Sequence, residues 1–257
     1  MLREESLPSY PMNPPAIFAM LPTFNEAENI KTLIPEILAL GSNYQVVVVD
    51  DDSPDGTWRV VGGMAARDSR VHLVHRTRER GRGSAGVAGL VKALELGADV
   101  VVEMDADYSH HPRFIPALVG AVLGPDGADV AIGSRLIKGG GEAGRSIVRT
   151  LITLAANLYI RLVLRLPVRD CTSGFRAFRR EGLERLGLER MQSNGPAIVQ
   201  EILLACRREG LRMVEVPILF EARRAGRSTF NWRIMLAGFR AVLIFRLREA
   251  RERRRRR

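Results

Sequence analysis

Three short apolar runs in the first 110 residues each stop abruptly at a polar cluster that contains acids, and this repetition constrains the fold more than any other feature. Residues 17–21 lead into Pro22-Thr23-Phe24-Asn25-Glu26, and residues 45–49 into Asp50-Asp51-Asp52-Ser53-Pro54-Asp55-Gly56. Residues 100–104 carry Glu103 and lead into Asp105-Ala106-Asp107. Short β-rich apolar runs bounded by turn formers read as strands. Helix-like segments at 26–40, 57–67 and 86–96 separate them, with a further strand at 71–75. This alternation is the pattern of an α/β fold, a mostly parallel sheet flanked by helices. Such sheets bind ligands at the carboxyl ends of their strands, where all three clusters fall. A plain turn with helix-capping aspartates explains any one of them. Three in one sheet point to a site.

Further along, the sequence predicts a helix at 112–123 and a strand at 129–133. A glycine-rich stretch at 139–141 can cradle phosphate, but a hinge or mobile loop is the commoner reading. A long apolar helix-like segment at 147–166, a polar loop at 170–178, an amphipathic helix at 198–209 and a strand at 213–220 follow. With 257 residues, 46% of them hydrophobic, the chain suits one α/β domain with a full core and a modest appendage. Residues 1–15, with Glu4, Glu5 and four prolines, read as a flexible leader and lack the apolar run of a signal peptide. Residues 16–230 form the expected globular domain, and 231–257 an amphipathic helix and basic tail. The two cysteines, Cys171 and Cys206, have neither disulfide-framework nor metal-ligand spacing, which predicts a reducing, cytoplasmic setting.

The formal net charge is +10, and half of it is local: six arginines against Glu252 in residues 251–257 give +5. Such a run binds nucleic acid, serves as a solvated end, or lies on an anionic membrane, where each basic residue is worth ~1 kcal/mol. The preceding residues 232–247 are apolar but broken by Arg233, Arg240 and Arg246, too short and charged for a span of ~20 residues. They fit a surface-lying or partner-bound helix, or an ordinary C-terminal helix packed on the domain. A nucleic-acid reading leaves the acidic strand ends unexplained, because they would repel a phosphate backbone.

The chemistry concentrates at Asp105 and Asp107. Two carboxylates at a strand exit raise each other's pKa unless a cation or hydrogen-bond donors compensate, and positions i and i+2 can converge on one ion. A hard divalent cation with oxygen ligands and a diphosphate suits them, Mg2+ or Mn2+. His110 and His111 invite zinc, but adjacent side chains diverge and no cysteine accompanies them. The turn at Asp50 to Gly56 is poor for phosphate and suited to a base edge and ribose hydroxyls. A dinucleotide fold is disfavoured: the first strand lacks the glycine fingerprint, and Gly81-Arg82-Gly83-Ser84-Ala85-Gly86 follows a later segment.

These segments, with Asp105-Ala106-Asp107-Tyr108-Ser109-His110-His111-Pro112, Gly133-Ser134-Arg135 and Asp170-Cys171-Thr172-Ser173-Gly174-Phe175-Arg176, resemble the dolichol- or polyprenol-phosphate mannose synthases. Those are inverting glycosyltransferases of the GT-A fold, and the resemblance covers about residues 18–230. It implies transfer of mannose from GDP-mannose to a polyprenyl monophosphate; a rival of the same class would use UDP-glucose, and a rival of another class would bind nucleic acid through the tail. It also implies that Pro22, Phe24, Glu26, Val49 and Asp51 contact the nucleoside, with Ala106 and Thr229 also at the donor site. Asp105, Asp107 and Ser109 would surround the metal, and Arg135, Arg149 and Arg223 would reach the donor diphosphate or the lipid phosphate. Two departures stand out: Thr229 occupies the place of a usual lysine, with Arg227 as the substitute cation, and Arg145 that of an aromatic. The transmembrane helices of some relatives are missing, so attachment to the cytoplasmic membrane face is expected to be peripheral or through an integral membrane partner.

Overall fold

The computed structural model describes residues 14–144, 147–221 and 232–255. Most of the predicted leader, together with Arg145, Arg223, Arg227 and Thr229, lies outside the described residues. Within them the first half alternates as the sequence predicts: β1 (Ile17–Thr23), α1 (Ala27–Leu38), β2 (Tyr44–Asp50), α2 (Thr57–Ala65), β3 (Val71–His75), α3 (Arg82–Glu95) and β4 (Val100–Glu103). A 3-10 turn (Pro112–Phe114), α4 (Ile115–Leu123), β5 (Val130–Ser134), β6 (Gly141–Glu142) and α5 (Ile147–Leu164) follow. The chain continues through β7 (Arg176–Arg179), α6 (Arg180–Glu184), α7 (Ile198–Arg208), β8 (Met213–Pro217), β9 (Leu219–Phe220) and α8 (Trp232–Arg255).

Seven strands form one sheet in the order β3-β2-β1-β4-β7-β5-β8. All pairings are parallel except those of β7, which runs antiparallel to both β4 and β5. The central strands are continuous apolar runs because helices cover both faces. Alternate residues feed two cores: Phe18, Met20, Val47, Val49 and Val101 pack against α3, α5, α7 and α8. Ala19, Leu21, Val46, Val48, Val100 and Val102 pack against α1, α2 and α4. The carboxyl ends of β1, β2 and β4 therefore share one edge, which is where the three acid clusters emerge.

Four expectations need correction. The predicted polar loop at 170–178 contains a strand, β7, inserted between β4 and β5. Its Arg176 is fully buried against Glu103 of β4, so a charged pair replaces the apolar side chain that a central strand usually requires. The helix predicted to begin at 86 begins at Arg82, because part of the glycine-rich segment is helix rather than loop. The expected strand 213–220 breaks into β8 and β9, and β9 pairs with β6, which begins at Gly141, the last residue of the stretch expected to be a hinge or mobile loop. Finally, α8 continues through the start of the arginine run to Arg255.

Helix α8 packs on α5: the Tyr159 hydroxyl donates to the Phe239 carbonyl at 3.1 Å, and their rings meet edge to face at 4.8 Å. Val242 and Phe245 are buried, and Glu249 is buried between Arg207 and Arg246. The outer faces differ. Val148, Leu151, Leu154, Leu158 and Leu162 form an exposed stripe along α5, spaced three or four residues apart. Leu236, Leu243, Ile244 and Leu247 are exposed on α8. No helix among the described residues is long and apolar enough to cross a membrane.

Candidate active site

Each of the three strand exits bends through a residue in the left-handed region: Asn25 at φ 61°, Asp52 at φ 55° and Tyr108 at φ 64°. For a bulky aromatic such as Tyr108 this conformation costs on the order of 1 kcal/mol and needs support. The support is its hydroxyl, 2.7 Å from Thr32 Oγ1 and 2.9 Å from Glu36 Oε1 on α1. The exit of β4 is thereby tied to a helix 72 to 76 residues earlier in the chain, and the carboxylates between are held in a fixed bend.

Within that bend Asp105 is about a third exposed, while Ala106 and Asp107 are buried. Arg82 Nη2 donates to Asp105 Oδ1 at 2.8 Å. Ser109 donates to Asp107 Oδ1 from its backbone N–H at 3.0 Å and from its hydroxyl at 2.5 Å. The Asp105 N–H donates to His110 Nδ1 at 3.0 Å, which leaves the ring proton on Nε2. Burial holds the pKa of His110 below the usual imidazole value, against the pull of Asp105 and Asp107, so the ring is neutral. It stacks on Phe175 at 5.0 Å.

Arg135, at the end of β5, is buried and clamped. Its Nε and Nη2 each lie 2.7 Å from the Asp170 carboxylate, Nη2 also donates to Thr172 Oγ1 at 2.6 Å, and Nη1 is 3.2 Å from Glu142. Burial works against charge on both partners, yet the paired contacts hold Asp170 below the usual carboxylate range and Arg135 above its ordinary value. Arg82, Asp105, His110 and Arg135 line one end of a cavity of about 690 Å³. Its other walls are mostly apolar, with Ile152, Ala156 and Ile160 of α5, Val199 of α7, and Phe239 and Val242 of α8, interrupted by Thr153, Ser193 and Gln200.

The residues expected at the nucleoside divide. Phe24, half exposed, lines a second pocket of about 340 Å³ with Trp58, Arg59 and Arg80 at the exits of β1 and β2. Pro22 closes β1, and Glu26 accepts from Asn29 Nδ2 at 2.6 Å. Val49 is fully buried in the core, and Asp51 is occupied by Arg76 Nε at 2.7 Å and the Gly81 N–H at 2.8 Å. Arg149 is exposed on the first turn of α5 and does not line the large cavity. Sequence reasoning gave no role to Arg82, Asp170 or Glu142. The glycines around Arg82 were the available signal, since a glycine-flanked arginine after a strand marks close backbone approach.

No group of three or more His, Cys, Asp or Glu among the described residues can hold a metal ion unaided. Two carboxylates completed by the oxygens of a bound diphosphate are nevertheless the usual ligand set of Mg2+ or Mn2+. The residues present fit that set. Asp105 already accepts a cationic group, and beside it Arg82 Nη1 and Glu103 Oε1 are buried 3.7 Å apart, paired in charge without a hydrogen bond.

A GT-A sheet with acidic strand exits opening on a half-charged, half-apolar cavity defines a glycosyltransferase. The sequence profile of Glycosyl transferase family 2 matches residues 19–187, and the chain belongs to this family. It is 39% identical over 215 residues to the undecaprenyl-phosphate mannosyltransferase of Micrococcus luteus, covering 84% of this chain and 87% of that one. It is likewise 39% identical over 213 residues to the polyprenol monophosphomannose synthase of Mycolicibacterium smegmatis, covering 82% and 80%. These names match the resemblance seen in the sequence. Among solved structures, glucosyl-3-phosphoglycerate synthase from Mycobacterium tuberculosis, in complex with Mn2+, uridine diphosphate and glucosyl-3-phosphoglycerate, superposes with TM-score 0.63 at 25% identity. That match covers 90% of this chain and 80% of the synthase.

Proposed function

We propose that the protein transfers mannose from GDP-mannose to a polyprenyl monophosphate, giving polyprenyl-phosphate mannose and GDP. The observation that carries this reading is the two-ended cavity, whose charged end adjoins an apolar slot between α5, α7 and α8. A lipid phosphate has that same division. The names of the two relatives, each acting on a polyprenyl-type phosphate or making its mannose conjugate, support the substrate class.

The acceptor phosphate is already anionic near neutral pH, so an oxygen can attack the anomeric carbon without a general base. The anomeric carbon–oxygen bond to the diphosphate breaks as the new one forms, with inversion. The residues then act by position and charge. Asp105 and Asp107, with Ser109 fixing the Asp107 carboxylate, would hold Mg2+ or Mn2+. When bound, such a cation compensates the negative charge of the leaving diphosphate. Arg135, immobilised by Asp170, Glu142 and Thr172, presents a preorganised positive wall to phosphate oxygens. Arg223, outside the described residues, and Arg149, beside the apolar stripe of α5, are assigned to phosphate contacts on the strength of the resemblance.

The exposed stripes of α5 and α8 support a peripheral place at the cytoplasmic membrane face, apolar side inward, with the arginine tail drawn to anionic headgroups or a membrane partner protein. The test is transfer of radiolabel to a polyprenyl phosphate from a panel of nucleotide sugars. GDP-mannose is expected to be the productive donor, and faster transfer from UDP-glucose would replace this reading with its rival.

A further inference from the structure

Arg82 lies in a glycine-rich segment, Gly81 to Gly86, that the proposed reaction has not used. Gly81 has φ 137°, a conformation open to glycine, and its N–H is held by Asp51. The Gly83 N–H donates to the Asn194 carbonyl at 2.8 Å, and a Cβ there would sit 1.8 Å from the Ser193 carbonyl oxygen. The residue between them is pinned by backbone on both sides. Its guanidinium spans two acids of the β4 exit, 2.8 Å from Asp105 Oδ1 and 3.7 Å from Glu103 Oε1. Gly174 closes the opposite wall: a Cβ there would lie 2.6 Å from Arg82 Nη2.

This arrangement sets a competition. An Asp105 oxygen engaged by a guanidinium is a poorer ligand for a dication, and a fixed positive charge a few ångströms away repels one. A nucleoside diphosphate reverses both effects, because an arginine fork accepts phosphate oxygens and Nη1 has an N–H to spare. We propose that Arg82 is a built-in counter-ion that holds Asp105 in the nucleotide-free protein and passes to the donor diphosphate, making divalent-cation binding conditional on nucleotide. The inference rests on the reading of Asp105 and Asp107 as cation ligands.

The test measures Mn2+ affinity of the full chain by electron paramagnetic resonance of unbound Mn2+, with and without GDP and with no acceptor present. Arg82→Met is expected to bind Mn2+ about tenfold more tightly than the wild type in the absence of nucleotide. Arg82→Lys, which keeps the charge, should stay close to the wild type. Calorimetry in chelator should show GDP binding about tenfold more weakly to Arg82→Met, because the phosphate contact is lost. Arg82→Gln replaces the methionine variant if that protein melts below the assay temperature. Unchanged nucleotide-free Mn2+ affinity in the neutral variant overturns the inference, as does an equal gain in Arg82→Lys. Absence of Mn2+ binding in every protein, GDP included, removes the cation reading and the inference with it.

Discussion

The exits of β2 and β4 look alike in sequence, each an apolar run ending in aspartates, and the fold uses them in opposite ways. At β2 the acids are taken up by neighbouring elements of the scaffold. Asp50 is fully buried and accepts from the Thr23 hydroxyl and from the N–H and hydroxyl of Ser53. Asp51 is taken by Arg76 and the Gly81 N–H, and Asp52 pairs with His75. At β4, Asp105 is partly exposed at the mouth of a large cavity and meets an arginine at the edge of that cavity. Acid density thus marks both a scaffold and a site. What separates them is that the β4 exit brings Asp105 to the wall of the large cavity, whereas the β2 aspartates are held by Ser53, His75, Arg76 and the Gly81 N–H.

The comparison breaks most visibly in activity. Asp107→Asn should lower transfer by roughly a hundredfold or more, the scale of losing one preorganised electrostatic contact, while its melting temperature stays close to the wild type. A large loss of stability with near-normal turnover per folded molecule would move Asp107 into the scaffold class. Asp170 sharpens the distinction, since both of its oxygens are paired with Arg135. Asp170→Asn should cost about 3–5 kcal/mol in urea unfolding, because it leaves the buried Arg135 charge poorly compensated. Its pH dependence follows from the sign of the shift. The folded carboxyl lies below its unfolded value of about 3.9, so its contribution is complete above that pH and lost as pH falls through the folded value. The variant should therefore show a flatter acid limb in its stability profile. Asp50→Ala comes last, with a loss of about 1–3 kcal/mol from unsatisfied Thr23 and Ser53 donors and little change in transfer per folded molecule.

Much of this was legible from sequence because buried parallel strands and helix-spaced segments declare themselves locally. The alternation from Ile17 to Glu103 emerged with ends displaced by few residues, apart from α3, whose glycines argue against a helix until Gly83 is seen packed on Ser193 and Asn194. Strand β7 was hidden for a different reason. Arg176-Ala177-Phe178-Arg179 is short and flanked by charge, and the burial of Arg176 depends on Glu103, 73 residues away, and on the Val199 carbonyl. The acids of the site were visible, but their division into structural and chemical was not, since the partners Arg76, Arg82 and Arg135 act across distant parts of the chain. The arginine tail followed the same rule: its charge was plain, whereas the anchoring of α8 through Glu249 to Arg207 depends on a contact 42 residues apart.

The central claim is that Asp105 and Asp107 form a cation–diphosphate site while the aspartates of β2 build the scaffold. Radiolabelled transfer from GDP-mannose to a polyprenyl phosphate, measured with chelator and then with Mn2+ or Mg2+ restored, tests it most directly. The account predicts that chelator abolishes transfer and that the added cation recovers it in the wild type and, per folded molecule, in Asp50→Ala, but not in Asp107→Asn. Undiminished transfer in chelator, or full recovery in Asp107→Asn, would contradict it.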